Sequence, residues 1–544
     1  MQFNPESIRT VNPAAWPQYP FDEAPRIPES SPIAYSIFAE QDLRVAMRDG
    51  VRLALDIFRP WAAGEKFPAL ISWSPYTRQL QQTLVPIGQN EAGLTEFWVP
   101  RGYAHVIVDA RGSNDSEGAW DFCGPKEQQD LAEIIEWVAS RPWCNCNVGM
   151  MGCSYFGRSQ LLGAVHQSPS LKAIFPYDAS TDMYRDNLYR GGIPTVGFPL
   201  LWFSDLAFLN FWGGRLKDPS GFHHHFQIVL GRKYPFDCEY YQERCTWTKL
   251  DRIKIPAYFG CDWHFYNLHL PGLFEGWEGT ANIPKKMLAG PTPVPRRPHA
   301  VYHFEALRWY DHWLKGLDTR VMEGPPIQIY IQGENHWRSE QEWPLARTEW
   351  QELFLGGPAG EENGQLSETP GSDAERSYVY DPVNPEARFG RPRLVYRTQP
   401  LPADLEITGP LSLTLIAQSS AADTDWIVVF GDEGPDGKIT TLTKGWLRAS
   451  HREVDSKRSK KARPWHPHSR SLPLRPGQPE EFQIGIVPTC NLFKKGHRIR
   501  LEIASSDNIP DNFFWYSETQ ATQARNTVLE GKKGSRLLIP VIPR

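Results

Sequence analysis

An α/β fold followed by an all-β sandwich of jelly-roll type is predicted for this chain by three observations. Strand-like apolar segments alternate with helix-period segments through the first 340 residues, the alternation is interrupted once, at 180–250, and beyond about 345 only short alternating strands remain. At 544 residues and 40% apolar content the chain is long enough for more than one core.

Taken in order, residues 1–40 are rich in Pro and Ser with little periodicity and read as an irregular arm on a domain surface. VRLALDIFRP (51–60) and FPALISW (67–73) read as strands, and YAHVIVDA (103–110), almost continuously apolar, reads as a buried one. Between Pro125 and Ser140, Leu131, Ile134, Ile135 and Val138 recur at i, i+3, i+4, i+7, the stripe of an amphipathic helix. NVGMMGC (147–153) returns to strand character before a helix-like stretch from Tyr155 to about His166. Strand, helix, strand, helix implies a parallel sheet covered on both faces. LKAIFPYD (171–178), IPAYFGC (255–261), PKKMLAG (284–290) and a helical run at 300–316 that packs Leu307, Tyr310 and Leu314 continue it. In the interruption, FPLLWFSDLAFLNFWGG has no strand register and predicts helices inserted over the sheet edge, above the carboxyl ends of the strands. In the last part LSLTLIAQ, WIVVFGD, HRIRLEIA and RLLIPVI are separated by Gly, Pro, Asn and Asp turns, the pattern of an antiparallel sandwich. The expected division is an arm at 1–40, an α/β domain at 41–179 and 251–340, a helical cap insertion at 180–250 and the sandwich at 345–544. The basic stretch 451–470 reads as a solvated loop.

Fifty-eight basic against 63 acidic residues leave a formal charge of -5, which removes the broad positive field that nucleic-acid binding needs. The eight cysteines include no CxxC pair with His at zinc spacing, so structural zinc is not expected. His223, His224 and His225 are adjacent, so their rings diverge, and they read as a polar surface turn rather than a metal site. The start lacks a basic segment followed by an apolar run, and no apolar stretch is long enough to cross a bilayer. A cytoplasmic protein with mostly free thiols is expected, with no membrane partner; self-association into a homo-oligomer is left open.

The chemistry concentrates in GMMGCSYFG (149–157), which sets Ser154 between a buried strand and a helix. A sharp strand-to-helix turn brings the backbone on either side of such a serine close together and demands small residues, here Gly152 and Gly157. A buried serine in a glycine-rich turn would share these letters, but the strand-turn-helix context favours a nucleophile elbow, although Phe156 stands where a glycine is usual. The turn would hold the hydroxyl above the sheet and aim the Tyr155 amide toward a developing oxyanion. A serine needs a base, and the base an orienting carboxylate. Asp262, directly after IPAYFGC, is placed for the acid, though a helix cap would suit it too. The base is His299, in the loop after PKKMLAGP, or His303, on the face shared by Leu307, Tyr310 and Leu314; His264 and His269 follow the acid too closely. Tyr76, in WSPYTR, is placed to give a second oxyanion hydrogen bond or to pack on the sheet edge. Arg111 and Asp115 are expected to brace the site, with a structural role favoured. No metal or organic cofactor is required.

With these residues in place the sequence resembles the α/β hydrolases that include X-Pro dipeptidyl-peptidases, cocaine esterase and α-amino-acid ester hydrolases. The likeness runs from MRDGVRLALDIFRP (47–60) through SPYTR, RGYAHVIVDARGSNDSEG, WCNCNVGMMGCSYFG and RWYDHWLKGLDT (308–319). It continues through ITGPLSLTLIAQSSAADTDWIVVFGDEGPDG (407–437), GWLRAS and FKKGHRIRLEIASSD (493–507). It implies a hydrolase domain with a helical cap and a carboxyl-terminal jelly roll lying against the site. It also implies Ser154 as nucleophile, Asp262 as acid, Tyr76 as oxyanion phenol and Tyr155 as backbone donor. The family's base segment, GPW-x-H, reads GPTPVPRRPH here, so the base falls to His299 or His303, or the triad is incomplete. The expected activity is that of a serine hydrolase cleaving an ester, thioester or amide of a small acyl substrate, an ester or thioester being favoured over a peptide. Acyl transfer by the same residues, or a non-catalytic ligand-binding protein, would fit the same text.

Overall fold

The structure is a computed structural model that describes residues 8–9 and 30–544 apart from 83–90, 209–217, 292–297, 359–362, 385–391 and 508–514; the side chains of 8, 9 and 298–301 also lie outside the description. In the first part, strands β1 (Ile8–Arg9), β2 (Ile37–Ala46), β3 (Arg52–Pro60), β4 (Phe67–Ser74), β5 (Ala104–Asp109), β6 (Cys144–Met150) and β7 (Leu171–Ile174) are followed by a small hairpin, β8 (Tyr189–Arg190) and β9 (Ile193–Pro194). Strands β10 (Ala257–Asp262), β11 (Lys285–Gly290), β12 (Ile327–Ile331) and β13 (His336–Glu340) complete the sheet, whose order is β1-β2-β3-β5-β4-β6-β7-β10-β11-β12-β13. Every residue of β4, β5 and β10 is buried, as near-continuous apolar text demands of strands covered on both faces.

Along that order the strands from β5 through β4, β6, β7, β10 and β11 to β12 pair in parallel, but β2 with β3, β3 with β5, and β12 with β13 pair antiparallel. The wholly parallel sheet expected from alternation is thus mixed at its edges. For β2 and β3 the cause is connection length: a tight turn closed by Met47 N–H donating to the Val51 carbonyl at 2.8 Å permits only a hairpin, whereas a parallel return needs a crossover of a dozen residues or more. The arm is not wholly irregular, since β2 begins at Ile37 and β1 pairs with its first residues.

Helices α1 (Arg78–Gln81), α2 (Thr95–Trp98), α3 (Pro125–Ala139) and α4 (Tyr155–Val165) precede α5 (Gly197–Ala207), α6 (Ser220–Val229) and α7 (Glu239–Arg244), which lie in the 180–250 interval; α8 (Leu270–Gly279) and α9 (Pro298–Lys315) follow. Helix α3 buries Leu131, Ile134, Ile135 and Val138, and α9 buries Leu307, Tyr310 and Leu314, as their spacing predicts. Among the described residues no helix is long and apolar enough to cross a membrane.

The carboxyl-terminal part is β-rich: β14 (Glu349–Gly356), β15 (Gly364–Ser367), β16 (Ala374–Tyr380), β17 (Arg393–Arg397), β18 (Leu405–Ser419), β19 (Asp425–Glu433), β20 (Ile439–Arg448), β21 (Glu480–Phe493), β22 (Arg498–Ala504), β23 (Ala524–Glu530) and β24 (Arg536–Ile542). Alternate residues of β18, Leu411, Leu413 and Leu415, share its core with Trp426, Phe430 and Ile484. The two parts are joined by polar contacts. Arg338 makes two hydrogen bonds of 2.7 Å to Glu406, and the Arg448 N–H donates to the Gly191 carbonyl at 2.8 Å.

Two readings of the sequence are corrected. The basic stretch 451–470 is not simply solvated: Lys460 and Arg463 both pair with Glu278 of α8, and His466 and His468 are buried. The three histidines sit on α6 rather than in a turn. His225 is buried, its Nδ1 2.7 Å from the Tyr240 hydroxyl and its Nε2 3.2 Å from the Trp120 carbonyl, because the aromatic interval folds its helices onto Trp120 and Phe122.

Candidate active site

Strand β6 ends at Met150 and α4 starts at Tyr155, so the chain reverses over four residues, with φ of 122° at Gly152 and 61° at Ser154. Positive φ at a non-glycine residue is uncommon and persists only where surrounding contacts impose it. Those contacts are visible here. The Ser154 N–H donates to the Tyr177 carbonyl at 3.1 Å, and the Ser154 carbonyl accepts the Arg158 N–H at 2.8 Å. A Cβ on Gly152 would lie 2.3 Å from Phe156 Cβ, and one on Gly157 would lie 2.2 Å from the Tyr177 carbonyl oxygen, so neither place admits a side chain. The elbow stands at the ends of the strands where the sheet order turns back on itself, β5-β4-β6, the crevice in which open α/β sheets bind ligands.

Ser154 opens into a cavity of about 60 Å³ whose wall includes Tyr76, Phe122, Tyr155, Arg158, Trp202 and His269. The Tyr76 hydroxyl accepts a 2.8 Å hydrogen bond from the Trp202 indole of α5, which polarises its own O–H as a donor. The Tyr155 amide, first of α4, is one of the N–H groups a helix leaves without an intrahelical acceptor. Its side chain points away, donating to both Glu127 oxygens at 2.8 and 3.0 Å. Glu127 also accepts from the Trp73 indole and the Cys123 N–H, and burial pushes its carboxyl up to about 7.

Asp262 ends β10, is 1% exposed, and accepts a 2.8 Å hydrogen bond from the Tyr177 hydroxyl. Tyr177 therefore ties the two positions together, its carbonyl holding Ser154 and its phenol Asp262. The charge of Asp262, after burial, also raises the carboxyl of Asp178, which follows β7 at φ 50°. His303 is buried in a different cavity, behind the elbow with Gly152, Tyr177 and Tyr302, its ring stacked on Phe97 at 4.6 Å. His299 lies in the first turn of α9 rather than in the loop before it, and its side chain is outside the described residues.

Three neighbours escaped the sequence reading. Asp178 ends a segment identified as a strand, at the carboxyl end where loops converge. Arg158 is one helical turn beyond Ser154. His269 follows Asp262 closely in sequence, yet the 3-10 turn Trp263–Asn267 carries it to the wall of the cavity that Ser154 lines. The expected Arg111–Asp115 brace is re-partnered. Arg111 pairs with Asp130 at 2.6 Å and Asp49 at 2.8 Å, while Asp115 pairs at 2.9 Å with Arg78, whose buried guanidinium also binds Asp42, Asp56 and Asp109. Among the described residues no group of His, Cys, Asp or Glu is arranged to hold a metal.

The sequence model of the X-Pro dipeptidyl-peptidase S15 family matches residues 49–251, and that of the X-Pro dipeptidyl-peptidase C-terminal non-catalytic domain matches 319–538. The cocaine esterase of Rhodococcus sp. (strain MB1 Bresler) is 27% identical over 86% of this chain and 90% of its own length. The Xaa-Pro dipeptidyl-peptidase of Lactobacillus delbrueckii subsp. lactis is 29% identical over 51% of this chain and 39% of that protein. Among solved structures, a CocE/NonD family hydrolase from Staphylococcus aureus superposes with a TM-score of 0.81 at 26% identity, covering 93% of this chain and 94% of that one.

Proposed function

Because the chain belongs to the α/β hydrolase family of the X-Pro dipeptidyl-peptidases and cocaine esterase, and is a serine hydrolase of ester or amide bonds, we infer that Ser154 is its nucleophile. The observation that carries this reading is the Ser154 backbone at φ 61°, which holds the hydroxyl out into a cavity beside the Tyr76 phenol and the amino end of α4.

The Ser154 Oγ attacks the acyl carbonyl as a histidine base takes its proton, His299 rather than His303, which lines a different cavity, and Asp262 orients the base. The carbonyl oxygen becomes an oxyanion between the Tyr76 O–H and the Tyr155 N–H, two donors fixed before the reaction starts. Collapse of the tetrahedral intermediate expels the leaving group, which receives the base's proton, and water then releases the acyl-enzyme by the same steps in reverse roles. An ester is favoured over a dipeptide with a free amino end. No carboxylate is among the described residues that line the cavity, whereas an ammonium group would need one. In the same reading, 180–250 is a cap over the site, and the carboxyl-terminal strands form a jelly roll braced against it.

The test is Ser154→Ala, measured on p-nitrophenyl butyrate and by labelling with a fluorophosphonate. Turnover falls by several orders of magnitude and labelling disappears in a folded protein. A Ser154→Ala protein that still hydrolyses the ester removes the assignment.

A further inference from the structure

Arg158 departs from most of the buried arginines around it; Arg190, which shares its lack of a carboxylate partner among the described residues, lines a different cavity. Arg78, Arg111 and Arg185 each face two or more carboxylates, as a buried guanidinium ordinarily requires. Arg158 is 6% exposed and makes no ion pair among the described residues, Asp186 acting on it only from beyond contact distance. Its Nη2 donates to the Arg244 carbonyl at 2.6 Å, and its Nη1 to Asn187 Oδ1 at 3.2 Å and Ser180 Oγ at 3.5 Å, all neutral acceptors. Its Nε has no partner.

The side chain lines the cavity into which Ser154 opens, and so does a second buried group with an unpartnered nitrogen: His269 is 7% exposed and its Nδ1 makes no hydrogen bond. Burial and the Arg158 charge hold that imidazole neutral, down to about 3, so one ring nitrogen carries a hydrogen and can donate it. The remaining wall is largely aromatic, with Phe122, Phe198, Trp202 and Phe203, and includes no carboxylate among the described residues.

We propose that Arg158 and His269 bind a carboxylate carried by the substrate, so that the preferred esters are those with an anionic group a few bonds from the scissile carbonyl. This rests on Ser154 being the nucleophile. A carboxylate would give the guanidinium a counter-ion and accept from the unpartnered Nε–H, bonds of the strong, charge-assisted kind. The cavity's 60 Å³ suits a short chain, since a cavity of about 150 Å³ is what benzene occupies.

The experiment compares esters that differ in charge alone. On the acyl side the pair is monomethyl succinate and methyl succinamate; on the alcohol side it is O-acetylglycolate and O-acetylglycolamide. For the wild-type protein kcat/KM should favour the charged member of one pair by roughly 10- to 100-fold, and the pair that shows it says which side the carboxylate occupies. In Arg158→Met that ratio should collapse toward one, while a general folding defect would lower both members together and leave the ratio standing. Wild-type protein that cleaves the amides as fast as the acids, or cleaves none of the four, overturns the inference. The first result leaves the hydrolase reading intact, and only persistence of activity in Ser154→Ala removes that reading itself. If Arg158→Met does not fold, the wild-type ratios, and inhibition of p-nitrophenyl butyrate hydrolysis by succinate but not by succinamide, decide alone.

Discussion

Replacing Gly157 by alanine tests whether the elbow's geometry, rather than the mere presence of a serine, carries activity. The new Cβ would lie 2.2 Å from the Tyr177 carbonyl oxygen, against the 3.3–3.6 Å at which such atoms ordinarily meet, so the two must part by roughly 1 Å. That carbonyl accepts the Ser154 N–H at 3.1 Å, and the same residue's hydroxyl donates to Asp262 at 2.8 Å, so the displacement passes to both. Overpacking of this size costs about 1–3 kcal/mol of stability, offset by up to about 1 kcal/mol from alanine's better helix propensity. A shift of about 1 Å at a nucleophile can cost about 100-fold in rate. The assay is kcat/KM for p-nitrophenyl butyrate, with urea unfolding to report stability. Gly163→Ala, two turns along the same helix, is the control: its Cβ would meet the Met150 Sδ at 3.0 Å, the end of a flexible side chain, and activity should stay within about threefold. If Gly157→Ala keeps wild-type activity and stability, close approach at the elbow is not what the glycine is for.

Tyr76→Phe should lower kcat about 100- to 1000-fold through loss of an oxyanion donor, and destabilise the fold by about 1–3 kcal/mol by leaving the Trp202 indole N–H without its acceptor; a kcat within fivefold of wild type would remove the phenol from the oxyanion site. His225 gives a pH dependence. Burial lowers it to about 3, so the unfolded chain takes up its proton near pH 6.5 and the folded protein does not. Its contribution is complete above that pH and is lost as pH falls, by about 1.4 kcal/mol per unit. Between pH 7 and 5 the wild type should therefore lose about 2 kcal/mol more than His225→Gln in urea titrations, and a pH-independent difference would contradict the assignment. Glu278→Ala removes the 2.6 Å and 2.5 Å contacts to Lys460 and Arg463; with Lys460 largely exposed, the expected cost is only about 1 kcal/mol, read as a lower melting temperature whose deficit shrinks at high salt.

The legible features are those set within a few residues of chain. Leu131, Ile134, Ile135 and Val138 could be assigned to one buried face because helix geometry alone puts them there. The elbow could be identified because Gly152, Ser154, Tyr155 and Gly157 act on one another across a single turn. Less legible was anything that depended on connection length or on distant partners. The hairpin of β2 and β3 hid inside an alternating pattern that looked parallel, and His225 looked like part of a polar turn until α6 brought it beneath Tyr240. His303 shows the limit in the other direction. Its helical neighbours correctly placed it on a packed face, but which cavity that face lines was set by Phe97, two hundred residues earlier.

By itself the sequence determined that a strand, a tight turn and a helix present Ser154. Covalent geometry propagates faithfully over such short spans. The tertiary structure alone decided that Arg78 rather than Arg111 takes Asp115, and that Arg158 and His269 reach Ser154's cavity while His303 lines another. Those choices depend on which loops the crossed strand order brings together, and that information is spread over the whole chain.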